Sequence, residues 1–294
     1  MFSLRAGFGY HSSYDAGRTA KVTSARPVSS FGGCMQVGEF EILPVVDGTA
    51  YIPISEPFLN MPAEAWLAHR EFLTSNLEVE LALGAFLIRG GDHTVLVDTG
   101  VGPISGTFNG GELVRSLAAY GVQPDDVTDV IFTHLHFDHV GWATQSGKPF
   151  FDKATYRCDE RDWAHFVRPE DPRAHKKLSP LTERMTFWDR GGNLLPGIDT
   201  IITPGHTPGS TVFVVSSGVE RAILLGDVVH CPIEMLEEEW NGLGDVDPEL
   251  AKRTRNQLLR ELEGTEVPMA AAHFPGLQFG RMLGAQGKRS WVVP

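Results

Sequence analysis

Between Thr133 and His139 the chain reads Thr-His-Leu-His-Phe-Asp-His, three imidazoles and a carboxylate within six residues, directly after the strand-like run Asp129–Thr133. Imidazoles this close repel one another once protonated, and they are expensive to desolvate unless something binds them. A divalent cation removes both costs. Ligands on one helix face would recur three or four positions apart, whereas this irregular spacing belongs to a turn whose alternating positions converge on two neighbouring points. The spacing therefore predicts a two-metal site at the C-terminal end of a strand. A fold that presents it must hold that strand end rigidly and bring further ligands from elsewhere.

The rest of the chain sets the bounds. Its 294 residues suffice for a substantial core, 42% are apolar, and no apolar run approaches the roughly 20 residues needed to span a bilayer. A net charge of −12 without a dense Lys/Arg cluster opposes a nucleic-acid partner. Cys34, Cys158 and Cys231 are widely spaced and form no C-x-x-C pair, which argues against a disulfide framework and for a reducing cytoplasm. Cys231, although near a candidate ligand, reads as a small inert hydrophobe. Residues 1–38 are rich in Ser, Gly and Arg, show no sustained period and lack the apolar segment of a secretory signal. They read as an N-terminal arm, flexible or reaching a second subunit, with residues 39–294 as one catalytic domain.

Strand patterns cover Glu39–Val46 and Val79–Ile88, and Gly90-Gly91-Asp92 turns into Thr94–Val97 and then Asp98. Helix patterns cover Pro62–Leu73 and Glu112–Tyr120, the second stopped by Gly121. The charged, aromatic-rich segment 150–196 reads as a helical insertion that walls the site. Ile198–Thr203, Thr211–Ser216 and Arg221–Leu225 are strand candidates for a second sheet, and Asp247-Pro248-Glu249 opens a helix with Leu250, Leu258, Leu259 and Leu262 as its stripe. Val267–Ala272 then leads to His273.

Three more candidate ligands each follow a strand-like run: His206 in Thr-Pro-Gly-His-Thr-Pro-Gly, Asp227 in Leu-Gly-Asp, and His273 before Phe274-Pro275. Strand-end loops are where a scaffold positions reactive groups, and adjacent glycines allow sharp turns. Lone histidines such as His69, His93, His165 and His175 read instead as surface or satisfied residues. With His134-x-His136-x-Asp138-His139, His206, Asp227 and His273 in this order over about residues 39–280, the chain resembles the metallo-β-lactamase superfamily. The resemblance implies an α/β fold, an αββα sandwich of two mixed β-sheets flanked by helices. It implies that His134, His136 and His206 hold one metal and Asp138, His139 and His273 a second, with Asp227 bridging. Asp98 would orient a ligand histidine without touching metal.

Two divalent ions about 3.5–4 Å apart can share a water, lower its pKa towards neutrality and polarise an adjacent acyl or phosphoryl oxygen. Zinc is the expected metal, with Fe, Mn or Co as alternatives, and Asp138 could carry the proton to the leaving group. The ligand set looks like that of acyl-homoserine lactonases, phosphotriesterases of the methyl parathion hydrolase type and glyoxalase II. Mononuclear iron persulfide dioxygenases are the rival of another class. In a known lactonase group a Tyr three positions after the bridging Asp bonds the substrate carbonyl; here that position is His230, which either donates the same bond or flanks the pocket. Trp142 and Phe274 are expected near the metals, Phe108, Trp163, Met235 and Trp240 mainly in the core, and Lys252, Arg253 and Arg255 on a solvated helix face. An aromatic-lined pocket favours uncharged esters or lactones as the small-molecule substrate, and the resemblance allows a homodimer.

Overall fold

The structure, a computed structural model, describes residues 33–54, 61–240, 242, 244–265, 267–285 and 288–293. The chain enters through β1 (Met35–Val37), β2 (Phe40–Pro53), β3 (Glu78–Gly90) and β4 (His93–Val97), each antiparallel to the one before. β5 (Phe108–Gly110) pairs with β2, and β6 (Asp129–Ile131) runs parallel to β4. After a short hairpin of β7 (Thr144–Gln145) and β8 (Lys148–Pro149), β9 (Thr155–Asp159) and β10 (Met185–Trp188) extend the sheet in parallel. The second sheet has the order β11 (Gly192–Leu195), β12 (Ile198–Ile202), β13 (Thr211–Ser217), β14 (Glu220–Leu224), β15 (Met269–Ala270), antiparallel except for the last pair. β16 (Arg281–Ala285) and β17 (Lys288–Val292) form a terminal hairpin.

Alternating side chains decide the layering. In β3, Phe86 and Ile88 join Phe213, Val215 and Leu224 of the second sheet in the central core, while Ala85 and Leu87 face the other way. That outer face is covered by Leu113 and Leu117 of α2 (Leu113–Ala119) and Leu178 of a later helix, whereas the early helix between β2 and β3, α1 (Ala63–Leu67), sets Trp66 in a separate cluster with Leu81, Leu83 and Trp240. On the far face of the second sheet, Val212 of β13, Ile223 of β14 and Leu225 just after it cluster with Leu258 and Leu259 of the last helix, Pro248–Leu262. The layers are thus helix, sheet, sheet, helix, the αββα sandwich expected. Phe213 is fully buried between the sheets, and its truncation to Ala would cost about 3–5 kcal/mol.

Several boundaries differ from the sequence reading. The strand β1 begins inside the segment read as an arm; residues 1–32 lie outside the described residues. The helix expected over 62–73 is broken: α1 ends at Leu67 and a 3-10 turn, Arg70–Phe72, follows once His69 leaves helical geometry (φ −118, ψ 41). The segment 150–196 is not simply a helical insertion. It holds α3 (Glu160–Phe166) and α4 (Pro172–Leu178), but also β9 and β10, which are integral to the first sheet, and β11 of the second. No helix among the described residues is long and apolar enough to cross a membrane.

Candidate metal centre

The site lies where segments leaving β4, β6, β12, β14 and β15 meet, and buried carboxylates tie these segments together. Asp98, at φ 62, accepts from Thr133 N at 2.8 Å and Thr133 Oγ1 at 2.7 Å, joining the end of β4 to the histidine loop. Asp162 is fully buried and accepts from Leu135 N, Thr207 Oγ1 and Gly209 N, so it clamps the His134–His136 loop to the His206 loop. Asp47 accepts from the amides of Val101, Gly102, Gly111 and Leu113 and from Trp142 Nε1. Glycine is required at 141: a Cβ there would stand 2.0 Å from Val101 C, so the turn after the cluster could not dock on the loop after β4.

Within this frame the candidate ligands converge. His136 Nδ1 lies 3.0 Å from His134 Nε2 and 2.9 Å from His206 Nε2. On the other side His273 Nε2 is 3.6 Å from Asp138 Oδ2. Asp227 stands between: its Oδ2 is 3.7 Å from His134 Nε2, 3.6 Å from His206 Nε2 and 3.1 Å from His273 Nε2, and its Oδ1 is 3.3 Å from His139 Nε2. Metal–nitrogen bonds of about 2.0–2.1 Å in a tetrahedron put ligand atoms roughly 3.3 Å apart, the middle of this range. The structure brings together His134, His136 and His206 as one set and Asp138, His139 and His273 as another, with Asp227 within reach of His134 and His139. His230 joins them, its Nε2 3.5 Å from Asp227 Oδ2.

The non-facing ring nitrogens are held as metal ligands require. His139 Nδ1 bonds Asp98 Oδ2 at 2.8 Å, His206 Nδ1 bonds Asp245 Oδ1 at 2.8 Å, and His273 Nδ1 bonds Ala82 O at 2.8 Å. With its proton directed at Asp98, His139 turns the lone pair of Nε2 on Asp227 Oδ1; both atoms are buried without a hydrogen-bond partner. A cation between them relieves that opposition, so the residues fit a divalent metal.

Protonation follows the same logic. Burial, reinforced by neighbouring imidazoles, holds His134 well below its ordinary value and pushes His136 and His206 down to about 3. Burial also opposes charge on His139 and His273, but Asp227, helped by Asp98 and Asp138 respectively, outweighs it and raises both. A proton there fills the place of a cation. Asp227 is held well below the carboxylate range: burial opposes ionisation, and His139, His273 and His134 overcome it.

Other expectations fare unevenly. His69 and His93 are engaged away from the site by Glu237 and Asp129. Met235 and Trp240 are core, and Trp163 is half-buried against Phe187. Phe108 is half-buried and meets the exposed Phe137 edge-on, 5.2 Å between centroids. Phe274 is not a pocket wall: it is 1% exposed and packs on Trp291. Trp142 is bound to Asp47 and packed on Phe150. Arg255 is not solvated; it is buried, donating to the carbonyls of Glu238 and Trp240, because the helix Pro248–Leu262 turns that side under the 238–240 segment. Cys231 is a buried free thiol, its pKa pushed up by burial. Asp47, Asp162, Glu234 and Asp245 are supports that the sequence does not announce, since a lone acid carries no periodic signal; Gly48 after Asp47 and Gly244 before Asp245 hint at turns and no more.

A family model described as the Metallo-beta-lactamase superfamily matches residues 85–273. An N-acyl homoserine lactonase of Bacillus thuringiensis is 26% identical over 215 residues, 67% of this chain and 82% of that protein. Metallo-beta-lactamase domain-containing protein 1 of Xenopus laevis is 31% identical over 210 residues, 70% and 78% of the two chains. Among solved structures, AidC, a dizinc quorum-quenching lactonase in complex with a product, superposes with a TM-score of 0.82 at 23% identity, covering 89% of this chain and 97% of that one. The hydrolase AbOPH gives 0.81 at 23% identity, covering 92% and 99%.

Proposed function

The chain belongs to the metallo-beta-lactamase superfamily and is a hydrolase, and on that premise we propose that it opens lactones, N-acyl homoserine lactones foremost, with two divalent metal ions, zinc in the first place. His134, His136 and His206 would hold one ion, Asp138, His139 and His273 the other, and Asp227 would serve both. Two ions held there would supply a water activated at neutral pH and Lewis acidity towards the scissile carbonyl. The observation that carries the reading is Asp227, which faces both histidine sets at 3.1–3.7 Å.

The remaining work belongs to the chain's own groups. His230, in the wall of the recess beside His206 and Asp227, donates a hydrogen bond to the carbonyl oxygen as charge develops on it. Asp138, 3.6 Å from His273 Nε2 and buried but for 11% of its side chain, carries a proton to the leaving alkoxide. Phe137, 51% exposed within the histidine loop, and Phe108 against it offer an apolar edge to an acyl chain. The lactonase relatives support the substrate class. Three free cysteines, two of them buried, suit a reducing cytoplasm.

The test is acid release from long-chain acyl-homoserine lactones by zinc-loaded protein. Turnover, absent in His134→Ala protein, supports the reading. No turnover by protein that retains two metals per chain contradicts the substrate class and directs the search to aryl esters and phosphotriesters.

A further inference from the structure

We propose that Glu234 is a positioning residue that holds the ring of His230 in one orientation, with Nε2 turned to the metal centre; this rests on the role proposed above for His230. Glu234 lies in the short helix α5 (Ile233–Leu236) and is 1% exposed. Its carboxylate engages the same residue twice: it accepts from the backbone N of His230, and both oxygens lie 3.3 Å from His230 Nδ1. An ionised carboxylate only accepts, so Nδ1–H donates to Glu234, while Nε2, which faces the Asp227 carboxylate at 3.5 Å, carries a proton of its own, the one His230 donates to the carbonyl oxygen. One side chain thus fixes both the main chain and the ring of the residue four positions earlier.

The ring is also boxed in. His206 meets it edge-on at 4.8 Å between centroids, and the ring of His273 lies parallel to it at 6.1 Å. At Gly242 a Cβ would stand 2.8 Å from His230 Cε1, so any larger residue there presses on the imidazole. Burying a carboxylate is costly unless it is paired. Here the pairing comes from His230 and, across the same recess, from buried Arg255, which together hold Glu234 below its ordinary range against the effect of burial. A purely structural acid at this place would need none of the alignment with a ring that faces the ligands.

The experiment is a double-mutant cycle of Glu234→Gln with His230→Ala on metal-loaded protein, read as kcat and KM for a lactone, alongside nitrogen-15 NMR of the His230 ring. We expect Glu234→Gln to lower kcat about tenfold, the lower end for an outer partner, with KM and metal content little changed. In the His230→Ala background the same change should be silent, within about twofold. The NMR should show a hydrogen-bonded Nδ1–H in the parent protein and its loss in Glu234→Gln. Gly242→Ala gives an independent route should Glu234→Gln fold poorly: it should lower kcat only while the ring of His230 is present. Equal losses in both backgrounds, or an Nδ1–H signal unchanged in Glu234→Gln, would overturn the proposal. If His230→Ala alone leaves kcat intact, the role given to His230 fails, and the Nδ1–H signal still decides whether Glu234 positions it.

Discussion

His139 donates its Nδ1–H to Asp98 Oδ2 at 2.8 Å, and this single bond turns Nε2 of the same ring towards Asp227 Oδ1, 3.3 Å away. Asp98 itself sits at φ 62, a conformation in which Asp and Asn are the best tolerated side chains other than glycine. Asp98→Asn should therefore fold, yet leave the tautomer of His139 undirected. Zinc affinity is expected to fall about 10- to 100-fold, measured by competition with a chromophoric chelator. Unchanged affinity would show that the ring needs no such partner.

Acid should loosen the metal-free protein. His136 and His206 have pKa values near 3 in the folded chain against an ordinary 6.5. Between those limits the unfolded chain binds more protons, so stability falls as pH falls through that window. Asp162 and Asp245, raised to about 6 mainly by burial, act in the opposite sense between their ordinary 3.8 and 6 and offset part of the loss. His139 and His273, whose values are raised, contribute stability that is complete below 6.5 and lost only as pH rises through their folded values. Urea midpoints of chelator-treated protein should drop from pH 6.5 to 4, and loaded protein should release metal over the same range.

Asp162 clamps together the two loops that carry His134, His136 and His206. All three of its donors come from segments flanking His134, His136 and His206. In Asp162→Asn one side of the amide would offer a donor to a donor, costing about 1–3 kcal/mol. A lower thermal midpoint together with weaker metal binding is the expected pair of results. A loss of stability with unaltered metal affinity would separate the clamp from the site.

Gly205 precedes His206 at φ 136, and a Cβ there would stand 2.3 Å from Ala251 N in the helix Pro248–Leu262. Neither strain nor clash can be relieved by a side-chain rotation. Gly205→Ala should cost about 1–3 kcal/mol and displace that helix from the His206 loop, seen as a lowered melting temperature and weaker zinc binding.

How much of this was legible in the sequence depended on whether a signal was local. His134, His136, His139, His206 and His273 announced themselves because imidazoles at strand ends are rare and clustered. Short continuous apolar runs marked β13 and β14, whose alternate side chains pack on both faces of the sheet. By contrast, Asp47, Asp162, Glu234 and Asp245 are four among 37 acids, and nothing local distinguishes a buried acid from a solvated one. The mixed pattern of β9 and β10 makes the segment 150–196 read as a helical insertion. Their strand character comes from parallel pairing: β9 beside β6, which lies more than twenty residues earlier in the chain, and β10 beside β9. Arg255 misled for a similar reason, since its burial is decided by the 238–240 segment and not by its own helix.

The most direct test counts metal and turnover in one sample: zinc per chain by plasma emission, and lactone opening by acid release, for the parent protein and Asp227→Ala. The account expects two zincs and rapid opening in the parent, and loss of opening with at least one zinc displaced in the variant. One metal per chain in an active parent, or opening that survives without Asp227, would contradict it.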